Sequence, residues 1–155
     1  MFKDNEIELM QKLWGDGIVN IGKIYIEGGD YKQAALDFVK DMYGYDYGEV
    51  LFKPTKAEKV QFRHTIEEAT SYFVGGIVEE DRGFALKTWK SVRFAPNYTK
   101  FISDDIAIAM GNYYFIDKND DEIIAEYTFG YKKVADGHPI IFLHHSSFPF
   151  KNIAK

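Results

Sequence analysis

The stretch IIFLHHSSFPF, residues 140–150, sets two histidines and two serines at the end of an apolar run. Histidine is the side chain that exchanges a proton near neutral pH, and a serine hydroxyl both donates and accepts hydrogen bonds. In a strand, alternate residues share a face. Ile141, Leu143, His145 and Ser147 then form one row, and Ile140, Phe142, His144, Ser146 and Phe148 the other. The adjacent histidines point apart, so they cannot grip one metal ion together unless a bulge intervenes. If the row ending in His145 and Ser147 lines a pocket, an imidazole and a hydroxyl two places apart reach the same ligand. That equipment suits a small polar molecule and the movement of one proton, and by itself it specifies no reaction. The plain alternative is a pair of structural histidines tied to backbone groups at a sheet edge.

Other motifs are weaker. DKNDDE at 117–122 begins like a calcium loop, but Glu122 stands where glycine is required and Thr128 where the closing glutamate belongs. It reads as a hairpin turn. Asn97-Tyr98-Thr99 fits a glycosylation sequon, which matters only in a secreted eukaryotic setting. No His-Glu-x-x-His, Walker or dinucleotide fingerprint is present. His64 of QFRHT is a secondary candidate that could face His145 across a cavity, yet two histidines without a third ligand predict no metal site. The chain has no cysteine, so disulfides, thiolate metal sites and thiol nucleophiles are excluded.

The elements that must position these residues fall into two halves. NEIELMQKLWGDGIVNIGKIYI places Ile7, Met10, Leu13, Trp14, Ile18, Ile21 and Ile24 at helical spacing. Its glycines weaken the helix and point to a kink near Gly15. The GG at 28–29 ends it, and Asp30 can cap a second helix, YKQAALDFVKDMY. EVLFKPT reads as a short strand, and a third helix spans roughly Thr65 to Val74 before Gly75-Gly76. From residue 82 the period changes to two. FALKTWKSVRFAPNY, IAIAMGNYYFID, EIIAEYTFGYKKV and PIIFLHHSSFPF read as strands, with turns at KNDD (118–121) and ADG (135–137).

Helices followed by an antiparallel meander predict an α+β fold in a single domain, 1–155. A curved sheet wrapped around a long helix leaves a pocket between them, the arrangement of the NTF2-like cone. The 155-residue length is enough to bury a core without staples. A formal net charge of −5 argues against a nucleic-acid partner. No apolar run approaches the roughly 18 residues of a membrane span, and MFKDNEIELM shows no signal-peptide pattern. With 13 Phe and 11 Tyr, the chain can line a cavity with both rings and hydroxyls.

AMGNYYFID, EYTFGYKK and FLHHSSFP, taken together, closely resemble the iota-class carbonic anhydrases of bacteria and algae. That class is related to the association domain of calcium/calmodulin-dependent kinase II. FKPTKA, QFRHT, SYFVGG, DRGFALKTW and VRF look similar in the same order, so the resemblance covers roughly residues 30 to 150. It implies the cone-shaped fold and reversible hydration of carbon dioxide to bicarbonate. No cofactor is expected, although some members are linked to manganese and residue types leave manganese or zinc open. The family pocket of threonine, tyrosine, histidine and serine carries over to Thr55, Tyr72, His145 and Ser147, with His145 in proton transfer. The expected partners are the small-molecule substrate and a second copy in a homodimer, with no membrane. Compartment follows only from source: a plastid for an algal protein, the cytoplasm or periplasm for a bacterial one. The competing reading is a non-catalytic association module of the same fold.

Overall fold

The computed structural model describes residues 1–153. Two helices come first, α1 over Asp4–Ile26 and α2 over Tyr31–Met42. Asp30 caps α2 by accepting the Gln33 amide at 3.0 Å. α1 is uninterrupted through Gly15, contrary to the expected kink. Its glycines serve close packing instead: a Cβ on Gly15 would lie 3.2 Å from Val92 Cβ, and one on Gly22 2.9 Å from the Ala85 carbonyl oxygen. A third helix, α3 over Ile66–Val74, starts in a capping box between Thr65 and Glu68.

The strands are β1 (Leu51–Lys53), β2 (Ser91–Phe94), β3 (Thr99–Ile102), β4 (Ile106–Ile116), β5 (Glu122–Lys133) and β6 (Pro139–Ser147). Their order is β1-β6-β5-β4-β2, with β3 pairing the other half of β4. Two expectations are corrected here. The sheet is mixed rather than purely antiparallel, because β1 runs parallel to β6; no hairpin joins these two strands, so nothing forces them antiparallel. The stretch from Phe84 is a 3-10 turn, Phe84–Lys87, rather than the start of a strand. Gly83 at φ 81 opens it, and the Trp89 indole N–H closes it on the Phe84 carbonyl at 2.9 Å.

The inner face of the sheet alternates large against small. Tyr113 lies opposite Ala125, Phe129 opposite Ala109, and Tyr131 opposite Ala107. Those alanines leave room for α1 to lay Trp14, Ile18 and Ile21 on the sheet, and all of these residues are buried.

One irregularity governs the site. Gly130 of β5 pairs with Leu143, but Tyr131 pairs with Ile141, so Phe142 is an extra residue in β6. Such a bulge shifts the alternation by one place. Ile141 faces inward as the period predicts, and beyond Phe142 the inward positions are His144 and Ser146. Gly130 is what allows this: a Cβ there would sit 2.8 Å from Leu143 Cβ and 2.9 Å from Phe142 Cζ. Gly130→Ala is therefore expected to lose about 1–3 kcal/mol from overpacking, read as a lower urea midpoint. An unchanged midpoint would show that the strands can separate freely there.

Candidate functional site

β6 carries His144 between two aromatic neighbours in adjacent strands. Its Cα partners are Phe52 in β1 and Phe129 in β5. The imidazole is stacked between those rings, 5.0 Å from Phe52 at 10° and 3.9 Å from Phe129 at 19°. The Trp14 ring meets its edge at 5.5 Å and 86°. Only 2% of His144 is exposed. Burial holds its pKa well below the ordinary 6.5, and His145 adds to that, so the ring is neutral.

A neutral imidazole has one N–H and one lone pair, and the surrounding groups decide which nitrogen has which. The Trp14 indole N–H donates to the Tyr43 oxygen at 2.9 Å. Tyr43 sits 2.8 Å from Nδ1 of His144 and has one hydrogen to give, so Nδ1 accepts it. The proton of His144 then resides on Nε2, 3.1 Å from the Tyr113 oxygen. Tyr113 in turn donates to Ser146 Oγ at 2.5 Å, which agrees with Nε2 acting as its donor. Ser146 Oγ lies 2.6 Å from Thr55 Oγ1, in the loop after β1. The Lys56 amide, next in that loop, donates to the Tyr72 oxygen of α3 at 3.2 Å. The result is one series, directed from Trp14 through Tyr43, His144 and Tyr113 to Ser146 and continued to Thr55 by a bond that either hydroxyl can donate. It runs from the centre of the cone to its rim. Burial raises the pKa values of Tyr43, Tyr72 and Tyr113, so all three keep their hydroxyl hydrogens.

Several side chains fix the rim. Lys53 Nζ donates to the carbonyls of Thr55 and Ser146 at 3.4 and 3.3 Å, holding the loop to β6. Arg63 is fully buried and makes a bidentate pair with Asp81, both bonds at 2.7 Å. Its Nη1 also donates to the Glu68 carbonyl of α3, and Ser71 Oγ donates to Asp81 at 2.6 Å. These contacts pin the helix that carries Tyr72. Beside the Tyr72 hydroxyl is a hollow of about 100 Å³ lined by Lys56, Glu80, Asp81, Arg82, Gly83, Phe84 and Lys87. The rest of the cone interior is packed with aromatic side chains.

The structure brings Thr55 and Tyr72 to this cluster, and it corrects the other half of the expected set. His145 is exposed and Ser147 half-buried, both on the outer face of the sheet. There they border an open groove with Met110, Asn112 and Thr128, and Ser147 donates to Glu126 at 2.9 Å. Glu126 therefore also faces outward. The Phe142 bulge is the physical reason, since strict alternation from the buried Ile141 would have turned His145 inward. His64 is exposed too and shares a shallow outer hollow with His145, away from the cluster. Sequence reasoning missed Tyr43, Tyr113, His144, Ser146 and Arg63. His144 and Ser146 were available as the other row of the same strand, whereas nothing local marks Tyr43 or Arg63. Among the described residues, no three His, Asp or Glu side chains converge as a metal site.

Comparison with known proteins places the chain in a family. The family model described as metal-independent carbonic anhydrase matches residues 5–148. A metal-independent carbonic anhydrase from Nostoc sp. is 37% identical over 153 residues, covering 96% of this chain and 74% of that protein. The crystal structure of a cyanobacterial iota-carbonic anhydrase complexed with bicarbonate superposes with a TM-score of 0.92 at 35% identity, covering 97% of this chain and 94% of that one. An NTF2-like superfamily protein from Salmonella enterica serovar Typhimurium shares the fold alone, with a TM-score of 0.55 at 11% identity over 97% and 95% of the two chains. With the family model spanning nearly the whole chain and the fold matching so closely, the chain belongs to the metal-independent carbonic anhydrases.

Proposed function

We propose that the chain converts carbon dioxide and water to bicarbonate and back at the rim of the His144 cluster, with no metal ion. The observation that carries this reading is the unbroken hydrogen-bonded series from His144 through Tyr113 and Ser146 to Thr55. The hydroxyls of Thr55, Tyr72 and Ser146 hold the attacking water and the carboxylate oxygens as charge develops on them. The apolar rings around them suit carbon dioxide. An association module has no use for such a buried series.

Energetics dictate how the proton moves. Bulk water has a pKa of about 15.7, so free deprotonation by a base of pKa near 6.5 costs about 12 kcal/mol, and more with His144 depressed. The proton must leave as the oxygen attacks carbon, each hydroxyl passing its own inward while taking the next. At rest, His144 presents N–H to Tyr113 rather than a lone pair. For Nε2 to accept, the order of the hydroxyls must reverse and Nδ1 must carry the proton. The Tyr43 hydrogen then loses its acceptor, a cost of about 1–3 kcal/mol for a buried group. That is small enough to be met in turnover, and it makes the resting state one that donates to bicarbonate.

Stopped-flow hydration assays test the reading. The purified protein is expected to hydrate carbon dioxide at a rate unchanged by chelator. His144→Ala should lower kcat/KM by about 100-fold or more, while His145→Ala should stay within about twofold; equal losses from both would sink the assignment of His144. The pH profile gives a separate check. The base works only when neutral, and burial has lowered its pKa, so kcat/KM is expected to hold through pH 6.5 and decline only below it. An acid limb at or above pH 6.5 would contradict a buried His144 as the proton acceptor. Nitrogen-15 spectra of the resting protein should show His144 neutral, with its hydrogen on Nε2.

A further inference from the structure

The hollow beside Tyr72 has a charge pattern opposite to that of the molecule. The whole chain carries a formal charge of −5, yet Lys56, Arg82 and Lys87 all line this space of about 100 Å³. The two carboxylates in the same lining are already engaged. Asp81 is paired with the buried Arg63 and accepts from Ser71. Glu80 accepts the amides of Glu58, Lys59 and Val60 at 2.7, 2.9 and 2.6 Å. Among the described residues, the side-chain nitrogens of Lys56, Arg82 and Lys87 have no carboxylate partner. The lining thus holds three cations against two carboxylates that already have partners.

The inner wall completes the site. The Tyr72 oxygen accepts the Lys56 amide, and its own hydrogen, which has no acceptor among the described residues, is available to a ligand. Phe84, stacked on the Tyr72 ring at 5.5 Å and 17°, gives one apolar side. Three flexible cations over a phenolic donor suit a compact monoanion with several acceptor atoms.

We infer that Lys56, Arg82 and Lys87 form an anion subsite against Tyr72, through which bicarbonate enters and leaves the rim of the cluster and for which other small monovalent oxyanions compete. This rests on the carbonic anhydrase reading above for the identity of the anion, while the subsite itself rests on the hollow and its charges. Partial burial lowers the Lys56 pKa, and the positive charge of Lys87 in the same lining adds to it. A bound anion relieves that repulsion. Neutral carbon dioxide gains nothing from the cations, so the subsite acts on the charged partner of the reaction.

The test is the double variant Lys56→Gln/Lys87→Gln, with Lys56→Arg/Lys87→Arg as the charge-preserving companion. Nitrate serves as the probe anion, together with bicarbonate in the dehydration direction. In the Gln pair, the nitrate inhibition constant and the KM for bicarbonate are each expected to rise about tenfold, with kcat changed far less, the signature of lost binding common to ground and transition states. The Arg pair should restore both constants to within about threefold of the parent, separating charge from a folding defect. A nitrate constant unchanged in the Gln pair of an active enzyme would overturn the subsite and leave the carbonic anhydrase reading standing. If the parent protein shows no hydration at all, that reading fails instead. The subsite is then judged by nitrate titration of the parent, where saturable amide shifts at Lys56 and Gly83 support it and their absence rejects it.

Discussion

A neutral imidazole carries one donor and one acceptor, and when it is buried both must be met. That requirement at His144 organises much of this molecule. The stacked rings of Phe52 and Phe129 exclude water from its faces, leaving only the two nitrogens to satisfy. Tyr43 meets one and Tyr113 the other, and these come from opposite sides of the cone: the end of α2 and the middle of β4. Trp14 of α1 then fixes the direction of the Tyr43 hydroxyl. Helix, sheet and edge strand are thus joined through one ring, and a wrong tautomer anywhere would leave a buried polar atom unpaired.

The same constraint explains how a site of hydroxyls can take part in proton chemistry. A single hydroxyl is a poor base, and a deeply buried imidazole is a weak one. Coupled in series, no hydroxyl has to bear a full charge, because each gives up a proton as it receives another and the net charge passes to His144. The arrangement also confines the polar path to one line through an otherwise apolar interior. Alanines opposite the large rings of β4 and β5 keep α1 close to the sheet, which brings Trp14 within reach of Tyr43.

How much of this could be read in the chain varies by element. The helices and long hairpins follow from periodicity and from caps such as Asp30 and Thr65, because those signals are local. The final strand was legible as the carrier of chemistry, since two histidines and two serines at the end of an apolar run are hard to explain as packing alone. Its facing was not. A bulge depends on how two strands register, and Phe142 looks like any other apolar strand residue until Gly130 is placed across from it. The parallel pairing of β1 is hidden for a similar reason, being set by contacts between residues some ninety positions apart. Thr55 and Tyr72 came from family resemblance, whereas Tyr43 and Arg63 act only through partners distant in sequence. Local patterns report elements; the site is assembled from registers.

The distribution of charge around the cluster follows from the cost of burial. A lysine placed beside His144 would pay a large desolvation penalty and would depress the imidazole further. The cations lie instead at the rim, where Lys56, Arg82 and Lys87 stay exposed and water shares the cost. The one buried cation near the site, Arg63, is neutralised by Asp81 and gives two further donors to backbone carbonyls. On the proposed reading, a neutral gas meets the uncharged hydroxyls of the cluster while its anionic product meets positive charge at the rim. This division needs no metal ion to create it. It needs a sheet curved enough to shelter the imidazole, and a loop after β1 short enough to place Thr55 and Lys56 on either side of the boundary between dry and wet.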